Sequence, residues 1–318
     1  MCACVWWRRC RSTRDAAWST LLVTASRMKR ALTMAVLTLL CAPAQAAPRD
    51  GVAAVLSKNV GFYLEAFSAF QAGYGAEVRR FDASKGAPAL PPGADIVVAF
   101  GARAASQDYP PQADLVYCMS PGHFVSAAGR TGKTVKISMR PSNARLLGKL
   151  KQIQPSLKRL TVFWAGTGYS DQMQELRSAG PDHGIEVSLE PVRSAAELPA
   201  LLRKGLQDMD AFWLPPDPLL ISPDTLMIFR EFSQGNAIPM YASTRGLAQE
   251  GATASVGVSF KTGGAAAAQA VKGLERGEDI PELVFPDALE LTLNASAARR
   301  CGITFPPEIL REAAYLFP

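Results

Sequence analysis

DAFWLPPDPLLIS, running from Asp210 to Ser222, is the stretch whose reading decides the fold. A short apolar and aromatic run halts at Pro215 and Pro216. Asp217 and a third proline follow, and SPDTLMIFREF then opens like a helix, with Ser222 ahead of Pro223 and the acidic Asp224. Strand, rigid loop and helix form the repeating unit of an α/β sheet, and this loop lies at the carboxyl end of its strand. In open parallel sheets that end carries the binding residues, which makes Asp217 a candidate for ligand contact. The competing reading is a turn residue at a helix entrance.

The same alternation extends in both directions. Short apolar runs begin at Val52, Ala76, Asp95, Leu115, Thr134, Arg159, Ile185, Ile238 and Ala254. Between them lie helical segments such as FYLEAFSAFQAGY, NARLLGKLKQIQP, SDQMQELRSAG and KTGGAAAAQAVKGLERG. Continuous apolar strands joined through helices imply a parallel sheet covered on both faces. Ten such strands exceed one tidy sheet, so the expected fold is α/β with two doubly wound parallel-sheet lobes joined by a hinge. The expected boundaries are a leader over 1–46, a first lobe over 47–155 and a second over 156–252. A return to the first lobe follows over 253–278, and a C-terminal strand and helices return to the second over 279–318.

The 318 residues carry a formal charge of +6, and its location matters more than its size. Met1–Ala46 holds seven basic residues against the single acid Asp15; without them 27 basic and 27 acidic residues remain. The body of the chain therefore has no global attraction for nucleic acid. The leader reads as an export signal: Met28-Lys29-Arg30 is the positive region, ALTMAVLTLLCAP is apolar but too short to span a bilayer, and Ala44-Gln45-Ala46 is a cleavage site. A periplasmic location is expected. Residues 1–27 fit neither a signal nor a fold, and Met28 is the alternative start. Thr38-Leu39-Leu40 ahead of Cys41 argues against lipidation there. Outside the leader only Cys118 and Cys301 remain, which gives no disulfide framework and no metal knuckle.

AAGRTGKT at Ala127–Thr134 imitates a phosphate loop, but the VKISM that follows reads as strand where a helix is required. His123 and His183 both sit in turn-like surroundings outside any metal or nucleophile motif. No catalytic constellation, metal site or cofactor is therefore assigned. The carboxyl-end loops share a different theme: small residues that expose backbone amides, hydroxyls and aromatic rings, which is the composition of a small-molecule cleft. From the first lobe the ligand-binding candidates are Ser57, Phe100, Gly101 and Ser120; from the second they are Trp164, Thr167, Tyr169, Asp217 and Ser243. Each has a plainer reading as core, cap or turn.

KRLTVFWAGTGYSDQMQELRSAGPDHGIEV, MDAFWLPPDPLL, GATASVGVSFKTGGAAAAQAVKGLERGEDIPE and ASAARRCGITFPPEILREA, in this order and spacing, resemble the ABC transporter substrate-binding protein family of the type I periplasmic-binding fold. The similarity is to the branch related to tryptophan-binding lipoproteins. Where that family often has tyrosine, asparagine and proline, this chain has Trp164, Ala165 and Gly166, and Pro216 replaces a threonine. The resemblance implies a monomer without enzymatic activity that closes over a small solute, an amino acid or aromatic compound among the candidates, and delivers it to an ABC permease. A periplasmic sensing module for a receptor or sensor kinase is the rival.

Overall fold

VAAVL at Val52–Leu56 and IVVAF at Ile96–Phe100 have every side chain buried, which strands achieve only when both faces of their sheet are covered. These are β1 and β3 in the computed structural model, which describes residues 51–166 and 169–318; the leader, its cleavage site and Cys41 lie outside the described residues. With β2 (Arg79–Asp82), β4 (Asp114–Cys118), β5 (Thr134–Ile137) and β11 (Leu283–Val284) they build a six-stranded sheet ordered β11-β5-β4-β3-β1-β2, parallel throughout. The second sheet contains β6 (Arg159–Trp164), β7 (Glu186–Pro191), β8 (Ala211–Leu214), β9 (Met240–Ala242), β10 (Ala254–Gly257), β12 (Glu290–Asn294) and β13 (Tyr315–Phe317). Its order is β13-β12-β10-β9-β8-β6-β7, and only the β10–β12 pair is antiparallel. Two mostly parallel sheets thus replace the single large one that the strand count ruled out.

The helices are α1 (Gly61–Tyr74), α2 (Ala102–Ala105), α3 (Asn143–Ile153), α4 (Ser170–Ala179), α5 (Leu198–Gly205), α6 (Pro223–Gly235), α7 (Arg245–Gln249), α8 (Phe260–Glu275), α9 (Ala295–Arg300) and α10 (Pro307–Glu312). Their ends follow from local chemistry. Ser222 and Thr225 form a reciprocal capping box at the start of α6, and Gly75, at φ 84°, closes α1 by donating its N–H to the Gln71 carbonyl. Apolar clusters lie on both faces of each sheet, so each lobe is a helix–sheet–helix layer. Among the described residues no helix is long and apolar enough to cross a membrane.

The chain crosses between the sheets over 138–142, 258–259 and 285–289. The return to the first lobe therefore comes later than the expected 253: ASVG of β10 is fully buried between β9 and β12, and only α8 goes back. The second return is also displaced. Residues after 279 first lay β11 along β5, Leu283 opposite Lys136, before β12 joins the second sheet. Between Phe81 and Asp95 a single 3-10 turn, Ala83–Lys85, stands where a crossover helix is usual.

The returning α8 packs along α1 through small side chains. A Cβ on Gly264 would stand 2.0 Å from the Ala66 carbonyl oxygen, whereas one on Gly73 would meet the Ala268 Cβ at 3.1 Å. The first contact is with backbone, so the helices would have to move apart to relieve it. Gly264→Ala is expected to cost about 1–3 kcal/mol of unfolding free energy in urea titration, despite alanine's better helix propensity, and Gly73→Ala distinctly less. A Gly264→Ala protein as stable as its parent would show that the two helices are not in backbone contact.

Candidate functional site

Loops beyond the carboxyl ends of strands from both sheets surround a cleft of about 530 Å³. The first lobe supplies Phe62 and Tyr63, from the first turn of α1, and Met119 after β4; the second supplies Pro216 after β8 and Ser243 after β9. Phe62 and Phe260 remain 44% and 37% exposed with ring centroids 5.6 Å apart, an apolar wall left open to the cleft. A second compartment of about 20 Å³ shares Pro121, Met139 and Pro216 with the first. Its lining is more polar and includes Ser120, Lys136, Arg140, Tyr169 and Gln172.

Three of the residues expected from sequence line these compartments. Ser120 and Ser243 are 1% and 2% exposed, and neither hydroxyl has a hydrogen-bond partner. Tyr169 lies in the small compartment, donates its hydroxyl to the Pro216 carbonyl at 2.6 Å and lies against Gly122 of the other lobe. Burial pushes its phenol well above the ordinary range, and the nearby Asp217 carboxylate adds to that.

The others are placed differently. Phe100 is fully buried, with its ring edge-on to Phe67 and Phe70 at 6.2 and 5.8 Å; as the last residue of β3 it points into the core, not across the loop. Trp164, 8% exposed, belongs to the apolar cluster of the second lobe. The Ser57 hydroxyl accepts from the Ala104 N–H at 2.9 Å and so caps the short α2. Gly101, at φ 99°, has no room for a side chain, since a Cβ would lie 2.5 Å from Ser57 Oγ and 2.6 Å from the Tyr63 ring. Its part is to let Tyr63 approach. Thr167 lies outside the described residues.

Asp217 answers the question posed by its loop. It is 1% exposed; Oδ2 accepts from the N–H groups of Ala165 and Gly166, both at 2.7 Å, and Oδ1 accepts from the Leu219 N–H at 3.0 Å. Its carboxylate is committed to backbone, and it ties the loop after β8 to the loop after β6. Neither of the two sequence alternatives, rim acceptor or turn residue at a helix entrance, included this clamp between neighbouring loops.

The profile of the family described as ABC transporter substrate binding protein matches residues 145–316, more than half the chain. The chain belongs to this family. No curated protein sequence matches it. Among solved structures it is similar to an ABC domain in complex with L-Trp from Streptococcus pneumonia, at 16% identity and TM-score 0.55, over 84% of this chain and 100% of that one. It is also similar to a ligand-free, open substrate-binding protein with adhesive properties from Clostridium difficile, at 15% identity and TM-score 0.62 over 84% and 98%. A conserved domain protein from Vibrio cholerae aligns at 17% identity and TM-score 0.56 over 83% and 98%. At these identities the structures show the fold, the type I periplasmic-binding arrangement.

In this substrate-binding protein the cleft residues that sequence reading missed are mainly Lys136, Arg140, Tyr63 and Phe260. Arg140 follows β5 in SMRPSN, a carboxyl-end loop like the others, two residues ahead of Ser142, the N-cap of α3. Its Nε donates to Gln172 Oε1 at 3.1 Å and its Nη1 to Asn143 Oδ1 at 2.7 Å. Lys136 is 7% exposed; its Nζ donates to the His123 carbonyl at 2.8 Å and stands 3.4 Å from the Phe124 ring centroid. Among the described residues no group of three or more His, Cys, Asp or Glu is placed to hold a metal ion.

Two expectations follow from these contacts. Asp217→Asn leaves one oxygen for three amide donors and turns an N–H toward a donor. It should cost about 1–3 kcal/mol of unfolding free energy in denaturant titration, and an unchanged midpoint would refute the clamp. Lys136 has its pKa lowered from 10.5 to about 8, by burial first and by the Arg140 charge second. Between those two values the unfolded chain holds a proton that the folded chain has released, so this residue's contribution makes stability rise with pH from about 8 to 10.5. Comparing the parent with Lys136→Met across that window should show the parent gaining on the variant; a constant difference would mean the lysine keeps its proton.

Proposed function

We propose that this protein is an exported solute receptor that captures a small molecule between its lobes and passes it to an ABC permease. The observation that carries this reading is the cleft itself: lined from both sheets, walled by the exposed Phe62 and Phe260, and furnished with the buried, unpartnered hydroxyls of Ser120 and Ser243. Unsatisfied buried donors beside open apolar surface are costly in an isolated protein, and a ligand removes both costs at once. A solute that touches both loop sets has differential affinity for the closed arrangement and therefore shifts the population toward it. The three crossings at 138–142, 258–259 and 285–289 are the segments about which the lobes turn.

The extracytoplasmic habit of the family and the leader sequence support export, with cleavage after Ala46. An amino acid or aromatic compound fits the aromatic wall of Phe62, Tyr63 and Phe260, and the Streptococcus pneumonia neighbour holds L-Trp. Binding and release without bond-making complete the cycle.

A thermal-shift panel of amino acids, aromatic acids, nucleosides and small sugars identifies the solute, because a ligand at about 100 times its dissociation constant adds about 2.7 kcal/mol. Small-angle scattering with that compound should then show a smaller radius of gyration. A radius unchanged at saturation would confine the site to one lobe and sink the capture mechanism.

A further inference from the structure

We infer that the small compartment beside the first crossing is an anion subsite, which takes the carboxylate head of a solute whose body fills the larger compartment. Arg140 and Ser120 donate to the anion and Lys136 supplies a second positive charge. This rests on the solute-binding reading and adds the chemistry of the head group.

Arg140 is 3% exposed, and its Nη2 is buried without a hydrogen-bond partner. The acceptors that it does have, Gln172 Oε1, Asn143 Oδ1 and the Pro141 carbonyl, are neutral. The Phe285 ring, 5.4 Å from its Cζ, adds no formal charge either. Among the described residues neither Arg140 nor Lys136 has a carboxylate within ion-pair distance. Glu175 acts on Arg140 only through space.

Two desolvated cations therefore line one compartment with an unpartnered buried hydroxyl and no anion. Such an arrangement is unfavourable until a negative charge arrives, and a ligand carbonyl alone would satisfy the free donors while leaving the charge uncompensated. A guanidinium presents N–H groups in a plane, which matches a planar carboxylate. The compartment is small, and its continuity with the larger space at Pro121, Met139 and Pro216 leaves a route for the rest of the molecule. Its walls come from both lobes, Ser120 and Gly122 on one side and Tyr169 and Gln172 on the other, so an anion there also favours closure.

The test uses the full chain without its leader and five probes: phenylacetate, its neutral isostere phenylacetamide, acetate, acetamide and inorganic phosphate. Affinities are read from thermal shift and confirmed by calorimetry. Phenylacetate is expected to bind about tenfold or more tightly than phenylacetamide, and acetate to bind where acetamide does not. Arg140→Gln should abolish that preference, Arg140→Lys should restore part of it, and Lys136→Met should reduce it, with circular dichroism establishing the fold of each. Should Arg140→Gln fail to fold, Lys136→Met carries the comparison.

Equal binding of acid and amide, a preference unchanged in the folded variants, or no response to either acid at tens of millimolar would each overturn the assignment. Phosphate binding in place of acetate would overturn the carboxylate choice. Neutral solutes that bind and close the lobes while the acids do not would defeat the subsite alone; failure of every solute to close them would defeat the capture reading beneath it.

Discussion

The mouth of the second lobe depends on one side chain. Pro215, Pro216 and Pro218 lack N–H groups, so the loop after β8 is rich in acceptors and poor in donors. Because β6 and β8 are neighbours in the sheet, the loop after β6 lies alongside and supplies what is missing: two backbone amides for the Asp217 carboxylate and the Tyr169 hydroxyl for the Pro216 carbonyl. The proline-rich segment thereby becomes a fixed edge, with its polar requirements met by its neighbour. The cleft wall at Pro216 and Tyr169 inherits its position from these bonds.

Polarity is distributed unevenly around the cleft. Aromatic and thioether side chains occupy the side toward α1 and α8, whereas the buried cations lie toward β5 and the first crossing. The crossings are not bare tethers. Met139 packs against Gly263 just beyond the second crossing, and Arg140 faces Phe285 in the third, so the three segments are coupled through side chains. Any movement of one lobe against the other is transmitted through contacts that also line the binding space.

The fold was legible because its signal is local. Runs such as IVVAF and RLTVFW declare burial on both faces, and the helical segments between them enforce parallel strands. Strand β11 was not legible, since two residues carry no period. The site was legible only in part, because the same residue type serves opposite ends depending on its partners. Ser57 and Ser120 both follow β-strands, yet one hydroxyl caps a helix and the other is left unpartnered in the cleft. Phe100 was misplaced by one pleat, and Asp217 by the invisibility of amides 51 and 52 residues away. Arg140 was overlooked because nothing in a sequence distinguishes a buried, unpaired guanidinium from a solvated one.

The interleaving of the chain has a consequence for biogenesis. The first sheet's covering helix α8 and its edge strand β11 are synthesised after most of the second sheet, and the second is completed only by β13 at the far end. The Tyr74 hydroxyl meets Glu275 across 201 residues of sequence. Neither lobe can therefore finish its hydrophobic core on a partly emerged chain, and the loop-closure entropy of these distant contacts makes assembly slow relative to local helix formation. Among the described residues the two cysteines, Cys118 and Cys301, are buried and free, so no cross-link between them hurries the process. A chain built this way stays incompletely packed until β13 has left the ribosome, so its two lobes mature together and not one after the other.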